Sequence, residues 1–199
     1  RRDFSINAVA LSLNDDDAGT VVDFFDGVGD VRTGIVRILH ENSFLEDPTR
    51  IMRGIRFKER FGFRFEPVTM RALKAALARD ALSFVNEQRL RDELELILRE
   101  PAVIGCIRTL ERLTGFSFLP FKLCLNPGHY ALLRRIERAS AWFDAHFPHK
   151  RPLDVWLVYL MGLLYRLPQR QVEVFLDRFA FRRGDRIRIR SIRQPVVER

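Results

Sequence analysis

Cysteine is nearly absent: Cys106 and Cys124 are the only two in 199 residues. Two thiols in a chain this long cannot frame a disulfide scaffold, and no Cys/His set has zinc-ligand spacing. Both cysteines are expected as buried thiols in a reducing cytoplasm. His40, His129, His146 and His149 are scattered, so no metal site is read in the residues present. Long apolar runs are missing too. The longest, from Val155 to Tyr165, falls well short of the ~20 residues of a membrane span. Tyr159, Gly162 and the flanking Asp154 and Arg166 suit a buried core helix instead. No signal peptide is visible, and the chain opens on Arg1-Arg2-Asp3 without Met, as if cut from something longer. Lysine is scarce as well. With only Lys58, Lys74, Lys122 and Lys150, nearly all positive charge sits on guanidinium groups, which grip phosphates bidentately and stack on bases.

What is present is a 47% hydrophobic chain, enough to bury a core in one or two compact units. Its net charge of +8 is unevenly spread. Residues 1–100 hold 16 Lys/Arg against 18 Asp/Glu, whereas residues 101–199 hold 18 against 8. A basic half on a balanced half suits a polyanion docked at one end. A membrane surface is the weaker explanation, because the arginines are not gathered on one amphipathic helix.

The pattern along the chain is α+β and mostly α. Ile6 to Leu13 alternates as a strand, Asn14 to Gly19 is a turn by composition, and Val21 to Phe25 is a second strand. Asp26-Gly27-Val28-Gly29-Asp30 turns into a brief helix, and Ile35 to Leu39 makes a third strand. Three short strands are too few to close a core, so part of the sheet is expected upstream. Beyond His40 the spacing predicts helices only: 48–60 closed by Gly62, 67–77, 87–99 capped by Asn86, and 101 to about 115. Helices follow at 128–147, 152–167 and 169–179, then a basic helix over 186–190 capped by Asp185. Phe116 to Asn126, broken by Pro120, reads as a packed connection. Trp142, Tyr159 and the many phenylalanines read mostly as core. The expected divisions are residues 1–40, 41–115 and 116–199.

One stretch stands out, from Glu46 through Asp47, Arg50, Arg53 and Arg56 to Phe57. Residues three apart lie on neighbouring turns of a shared helix face, which would line Asp47 with the three arginines. A carboxylate beside a planar donor fork suits the edge of a base, and further arginines suit a triphosphate. Spacing alone favours a solvated helix with local ion pairs, and other segments of the chain reverse that balance.

Four segments together resemble class II tRNA nucleotidyltransferases and bacterial poly(A) polymerases. They are Arg1-Arg2-Asp3-Phe4-Ser5-Ile6-Asn7-Ala8, the glycine-containing hinge Val22 to Val31, the stretch Glu46-Asp47-x-x-Arg50, and Asn86-Glu87-Gln88-Arg89-Leu90-x-x-Glu93-Leu94. Phe25 and Asp26 depart from the usual hinge pattern. The resemblance implies the end of a nucleotidyltransferase β-sheet head, then an all-helical neck, body and partial tail. It implies that Asp47 and Arg50 act as a protein template for the incoming base. Asp47 accepts from the amino group shared by cytosine and adenine, and Arg50 donates to the adjacent nitrogen or carbonyl. Arg53 and Arg56 match positions near the nucleotide, and Arg2 a position at sugar or phosphate, with Asp3 and Asn7 in support. The implied substrates are ATP, CTP and tRNA. The Mg²⁺ of the family is held by an upstream carboxylate pair, so this chain carries no catalytic residue of its own. Arg182, Arg183, Arg186, Arg190 and Arg193 are expected to meet RNA phosphates, and one or two of the aromatic side chains could stack on the acceptor end of a tRNA. CCA addition, addition of the terminal A alone, a poly(A) polymerase and a noncatalytic RNA-binding module all remain open, as does the oligomeric state.

Overall fold

The computed structural model describes residues 2–150 and 153–191. The fold is α+β and mostly helical, in two compact units, Arg1–Val85 and Asn86–Arg199. The boundary between the two units falls after Val85.

In the first unit β1 (Ala10–Leu11) and β2 (Val21–Val22) pair antiparallel, with Ala10 opposite Val22. After α1 (Gly27–Thr33), β3 (Ile35–Val36) pairs parallel with β4 (Arg64–Phe65). Two expectations are corrected here. The strand read over 6–13 shrinks to Ala10–Leu11, because Ser5–Asn7 forms a 3₁₀ turn whose first amide bonds Arg37 O at 2.9 Å. Nor do the strands form one sheet that stops near residue 40: β1–β2 and β3–β4 are separate two-stranded sheets, and β4 joins β3 after the intervening helices. α2 (Ser43–Glu46) is a short helix that the pattern did not announce.

α3 (Thr49–Phe61) matches the expected helix to within a residue. It forms because Ile51, Met52 and Ile55 give it a fully buried face, and Gly62 ends it at φ +68°. Gly54 lets α3 approach the core closely: a Cβ there would lie 3.0 Å from the rings of both Phe4 and Phe65. Phe4 itself is fully buried and packs edge-on against Phe57 at 5.8 Å. α4 (Pro67–Ala78) starts on Glu66, whose carboxylate accepts from Thr69 N at 2.7 Å, while the Thr69 hydroxyl accepts from Ile38 N at 3.1 Å.

The second unit comprises α5 (Glu87–Leu98), α6 (Val103–Thr114), α7 (Pro127–His146), α8 (Val155–Leu164), α9 (Gln169–Arg178) and α10 (Arg183–Ser191). Asn86 caps α5 as expected, its side chain accepting from Gln88 N at 2.8 Å. α8 is the buried core helix, with Trp156, Leu157, Tyr159, Leu160, Leu163 and Leu164 all enclosed. Gly162 allows α7 and α8 to meet closely, since a Cβ there would fall 2.9 Å from Ile136 Cδ1. Residues 116–126 do form a packed connection, burying Phe116, Phe118 and Leu123. α10 begins two residues ahead of Asp185, which lies in its first turn and pairs with Arg188 at 2.6 Å instead of capping it. Two further expectations fail. Cys106 is buried but Cys124 is exposed, and Trp142 keeps 55% of its surface open to solvent.

α7 opens on a capping box that uses histidine. Asn126 Oδ1 accepts from His129 N at 3.1 Å, and His129 Nδ1 accepts from Asn126 N at 3.2 Å. His129 is buried, and that burial, then the Arg166 charge, lowers its pKa from 6.5, although Glu111 opposes. The unfolded chain therefore binds the proton first. The cap's contribution is complete above pH 6.5 and is lost as pH falls from there toward the lower folded value. His129→Gln retains an acceptor at the third helical position and is expected to flatten the fall of the thermal midpoint as pH drops below 6.5, relative to wild type. Parallel slopes in the two proteins would show that His129 does not carry it.

Candidate functional site

Three of the four segments converge on residues 2–7. The carboxylate of Asp3 is buried, and Arg53 of α3 donates to its Oδ2 from Nε at 2.5 Å. Asn7 donates to the other oxygen at 2.7 Å. Burial alone would raise the Asp3 pKa, but the bonds from Arg53 and Asn7 outweigh it, so its pKa is lowered and the anion is favoured.

The hinge grips the same turn from another side. Asp23 caps α1 through bonds from Gly27 N at 2.8 Å and Val28 N at 2.9 Å, which hold its pKa down. Gly27 then lies against the Ser5 carbonyl, so close that a Cβ would sit 2.3 Å from the oxygen. Asp30, buried, accepts from Ser5 Oγ at 2.6 Å and takes a two-pronged grip from Arg37 at 2.9 and 3.0 Å. Sequence reasoning missed the Ser5–Asp30–Arg37 network. Its signal was Asp30 four residues after a residue in the left-handed conformation, Asp26, which spacing alone does not reveal.

Beside this turn is a cavity of about 410 Å³, lined by Arg2, Asn7, Ala8, Val9, Ala10, Phe25, Leu39 and His40. Arg2 is exposed and Phe25 is 45% exposed. His40 Nε2 is enclosed without a hydrogen bond, 3.5 Å from Glu46 Oε2. An arginine, an amide and an exposed ring around a largely apolar recess suit a ligand with an anionic end and a flat body.

Asp47, Arg50, Arg53 and Arg56 do not share one open helix face, which corrects the reading from spacing. Asp47 precedes α3 in extended conformation, and its Oδ1 accepts from Thr49 N at 3.2 Å and Thr49 Oγ1 at 2.7 Å. An Asp two residues ahead of a helical amide satisfies that amide at the cost of its place on the helix. Arg50 is buried, with Nη1 bonded to Ser43 Oγ at 2.8 Å and Ser43 O at 3.3 Å. Neither Asp47 nor Arg50 lines the 410 Å³ cavity. Arg53 turns to Asp3, and Arg56 is half-buried.

In the second unit the arginines of α10 are engaged within the fold. Arg190 grips Glu173 of α9 at 2.5 and 2.9 Å, Arg186 pairs with Asp177, and Arg188 bonds Asp154 at 2.5 Å. The Arg190 bonds hold the Glu173 pKa down. Arg182 and Arg183 are exposed, and Arg193 lies outside the described residues. No cluster of three or more His, Cys, Asp or Glu side chains among the described residues could hold a metal ion. Nor is any described helix long and apolar enough to cross a membrane.

Residues 1–37 match the family "Poly A polymerase head domain". The A-adding tRNA nucleotidyltransferase of Geobacter sulfurreducens is 36% identical over 168 residues, covering 84% of this chain and 19% of that protein. A solved tRNA-processing enzyme superposes with a TM-score of 0.88 at 29% identity, over 98% of this chain and 52% of its own. The Thermotoga maritima CCA-adding enzyme complexed with tRNA-CCA gives 0.80 at 36% identity, over 96% of this chain and 46% of its own. In sequence and in fold the chain is thus similar to tRNA nucleotidyltransferases, and residues 1–37 match a poly(A) polymerase head domain. It spans about half the length of these solved enzymes and about a fifth of the Geobacter relative.

Proposed function

We propose that the chain serves a tRNA 3′-terminal nucleotidyltransferase, adding CCA or the terminal A alone from CTP and ATP. The observation that carries this reading is the Asp3–Asn7–Arg53 network, which ties the first motif to the third across 50 residues beside an arginine-lined recess. Solved relatives described as holding CTP, ATP and tRNA supply the substrate classes. Arg2 and Asn7 would hold sugar or phosphate, and Arg53, fixed by Asp3, would keep the turn in register with the base-reading segment. Asp47 and Arg50 would read the base from the start of α3, each already oriented by a neighbour, Thr49 and Ser43. The metal chemistry of nucleotidyl transfer would come from carboxylates outside this chain.

The test is product analysis. Full-length protein incubated with tRNAs ending before CC, after C and after CC should extend one or more of them by the missing nucleotides only. Long oligo(A) tracts would favour the poly(A) polymerase reading, and no extension with intact tRNA binding would favour an RNA-binding module.

Of the expected RNA contacts, Arg182 and Arg183 are the exposed pair not drawn into ion pairs among the described residues. Replacing both by alanine is expected to weaken tRNA binding and to make the slope of log K against log[salt] shallower by about 2. An unchanged slope would assign both to solvent.

A further inference from the structure

The C-terminal half of α7 carries a feature that the base-reading segment does not use. Arg135, Arg138, Trp142 and His146 recur at intervals of three and four residues, so they share one face. All four are exposed. The His146 ring stacks on the Trp142 indole with centroids 4.6 Å apart and planes 26° apart, and Phe147 meets the indole at 5.8 Å. His146 Nδ1 lies 2.8 Å from the Trp142 carbonyl, which holds the two rings together. Beside the indole runs a groove of about 440 Å³, with Arg135 at its rim and Ile136, Phe143, Leu153 and Val158 in its floor.

We propose that this groove holds an unpaired nucleotide of the RNA substrate, its base against Trp142 and its phosphate on Arg135 and Arg138. The inference rests on the RNA reading above. Charge selects the occupant. Arg134, Arg135 and Arg138 have no ion-pair partner among the described residues, whereas Arg186, Arg188 and Arg190 of α10 are each bonded to a carboxylate. Guanidiniums without a counter-charge lose nothing internal when they meet a phosphate. A second copy of this chain would bring arginines against arginines, because residues 101–199 carry 18 Lys/Arg against 8 Asp/Glu. Planar rings beside a cationic rim are the combination that single-stranded nucleic acid uses, with stacking indifferent to base identity. The groove therefore grips RNA without choosing its sequence.

Tryptophan makes the test direct, because this chain has two and Trp156 is buried. Full-length wild type and Trp142→Leu are titrated with tRNA and with a ten-residue oligo(U). The Trp142 emission is taken as the difference between the two proteins. Expected are quenching of that emission by both RNAs and roughly tenfold weaker binding by Trp142→Leu in anisotropy, with Trp142→Phe close to wild type. Arg135→Ala/Arg138→Ala should weaken binding and lower its salt dependence, with thermal midpoints unchanged because all three side chains are exposed. Unquenched emission with tRNA affinity preserved in both variants would overturn this inference and leave the proposed function standing. A change of sedimentation mass in Trp142→Leu would overturn it in favour of a protein contact. No tRNA binding by wild type would sink both readings.

Discussion

Gly27→Ala is expected to destabilise the first unit by about 3 kcal/mol, the upper end for an overpacked site, lowering its thermal midpoint by roughly 10–20 °C. The added carbon would sit 2.3 Å from the Ser5 carbonyl oxygen and 2.7 Å from Val9 Cγ2. The oxygen belongs to backbone that three other contacts already fix. Ser5 N bonds Arg37 O, Ser5 Oγ bonds Asp30, and Ala8 N bonds the same carbonyl at 2.9 Å. The Ser5 carbonyl therefore cannot yield without straining at least one of them. Gly29→Ala is the control: the nearest atoms to its carbon would be those of the Asp26 carboxylate, a side chain that can swing away, so its cost should stay under about 1 kcal/mol. Equal midpoints for the two variants in thermal unfolding would mean that the hinge does not clamp the turn. Because that turn carries Arg2, Asp3 and Asn7, Gly27→Ala should also weaken nucleotide binding where folded protein persists.

The second large effect concerns base choice. On the proposed function, Asp47→Ala in the full-length protein should narrow a preference for CTP and ATP over UTP and GTP by roughly 5- to 150-fold, the equivalent of about 1–3 kcal/mol. A carboxylate facing the carbonyl of uracil or guanine would leave two acceptors opposed, and alanine removes that penalty. Alanine also removes the bonds to Thr49, so some stability at the start of α3 should be lost as well. Asp47→Asn separates the two effects. Its carbonyl can keep the Thr49 contacts, while its amide donates toward the base and should favour the carbonyl of uracil and guanine. Ratios of kcat/KM for the four nucleotides decide the matter. Unchanged ratios in both variants would remove Asp47 from base reading.

Periodicity announced the long helices well. α3, α4, α5 and α7 lie within a residue or two of the spans read from spacing, because each has a buried stripe and a glycine, proline or asparagine at an end. The strands were harder. Ile6 to Leu13 has strand composition, yet the Ser5 amide is drawn to Arg37, a contact 32 residues away that no local window contains. β4 hides in Phe63-Arg64-Phe65-Glu66, whose alternation is too short to stand out between two helices.

The candidate site was legible as a set of motifs and illegible as a geometry. The order of the segments pointed to the residues around Arg2 and Arg53, and these do meet. Spacing then misled at Asp47 and Arg50. A three-residue interval implies a shared face only inside a helix, and Asp47 stands just outside one, bonded to the amide that starts it. The arginines of α10 misled for a different reason: sequence shows their charge but not Glu173, Asp177 and Asp154 waiting on other elements. His129 escaped notice as a cap because glutamate or glutamine usually fills that place.

The parallel pairing of β3 with β4 has a dynamic consequence. Arg64 N reaches Gly34 O at 2.9 Å and Glu66 N reaches Val36 O at 3.1 Å, fastening the two ends of the excursion that contains α3. Amide protons of that helix and of Glu66 should therefore exchange with solvent together, at one common opening free energy, as a single cooperative block. A nucleotide seated at the start of α3 would slow exchange at the far rung as well, a distant footprint of occupancy that deuterium uptake can record.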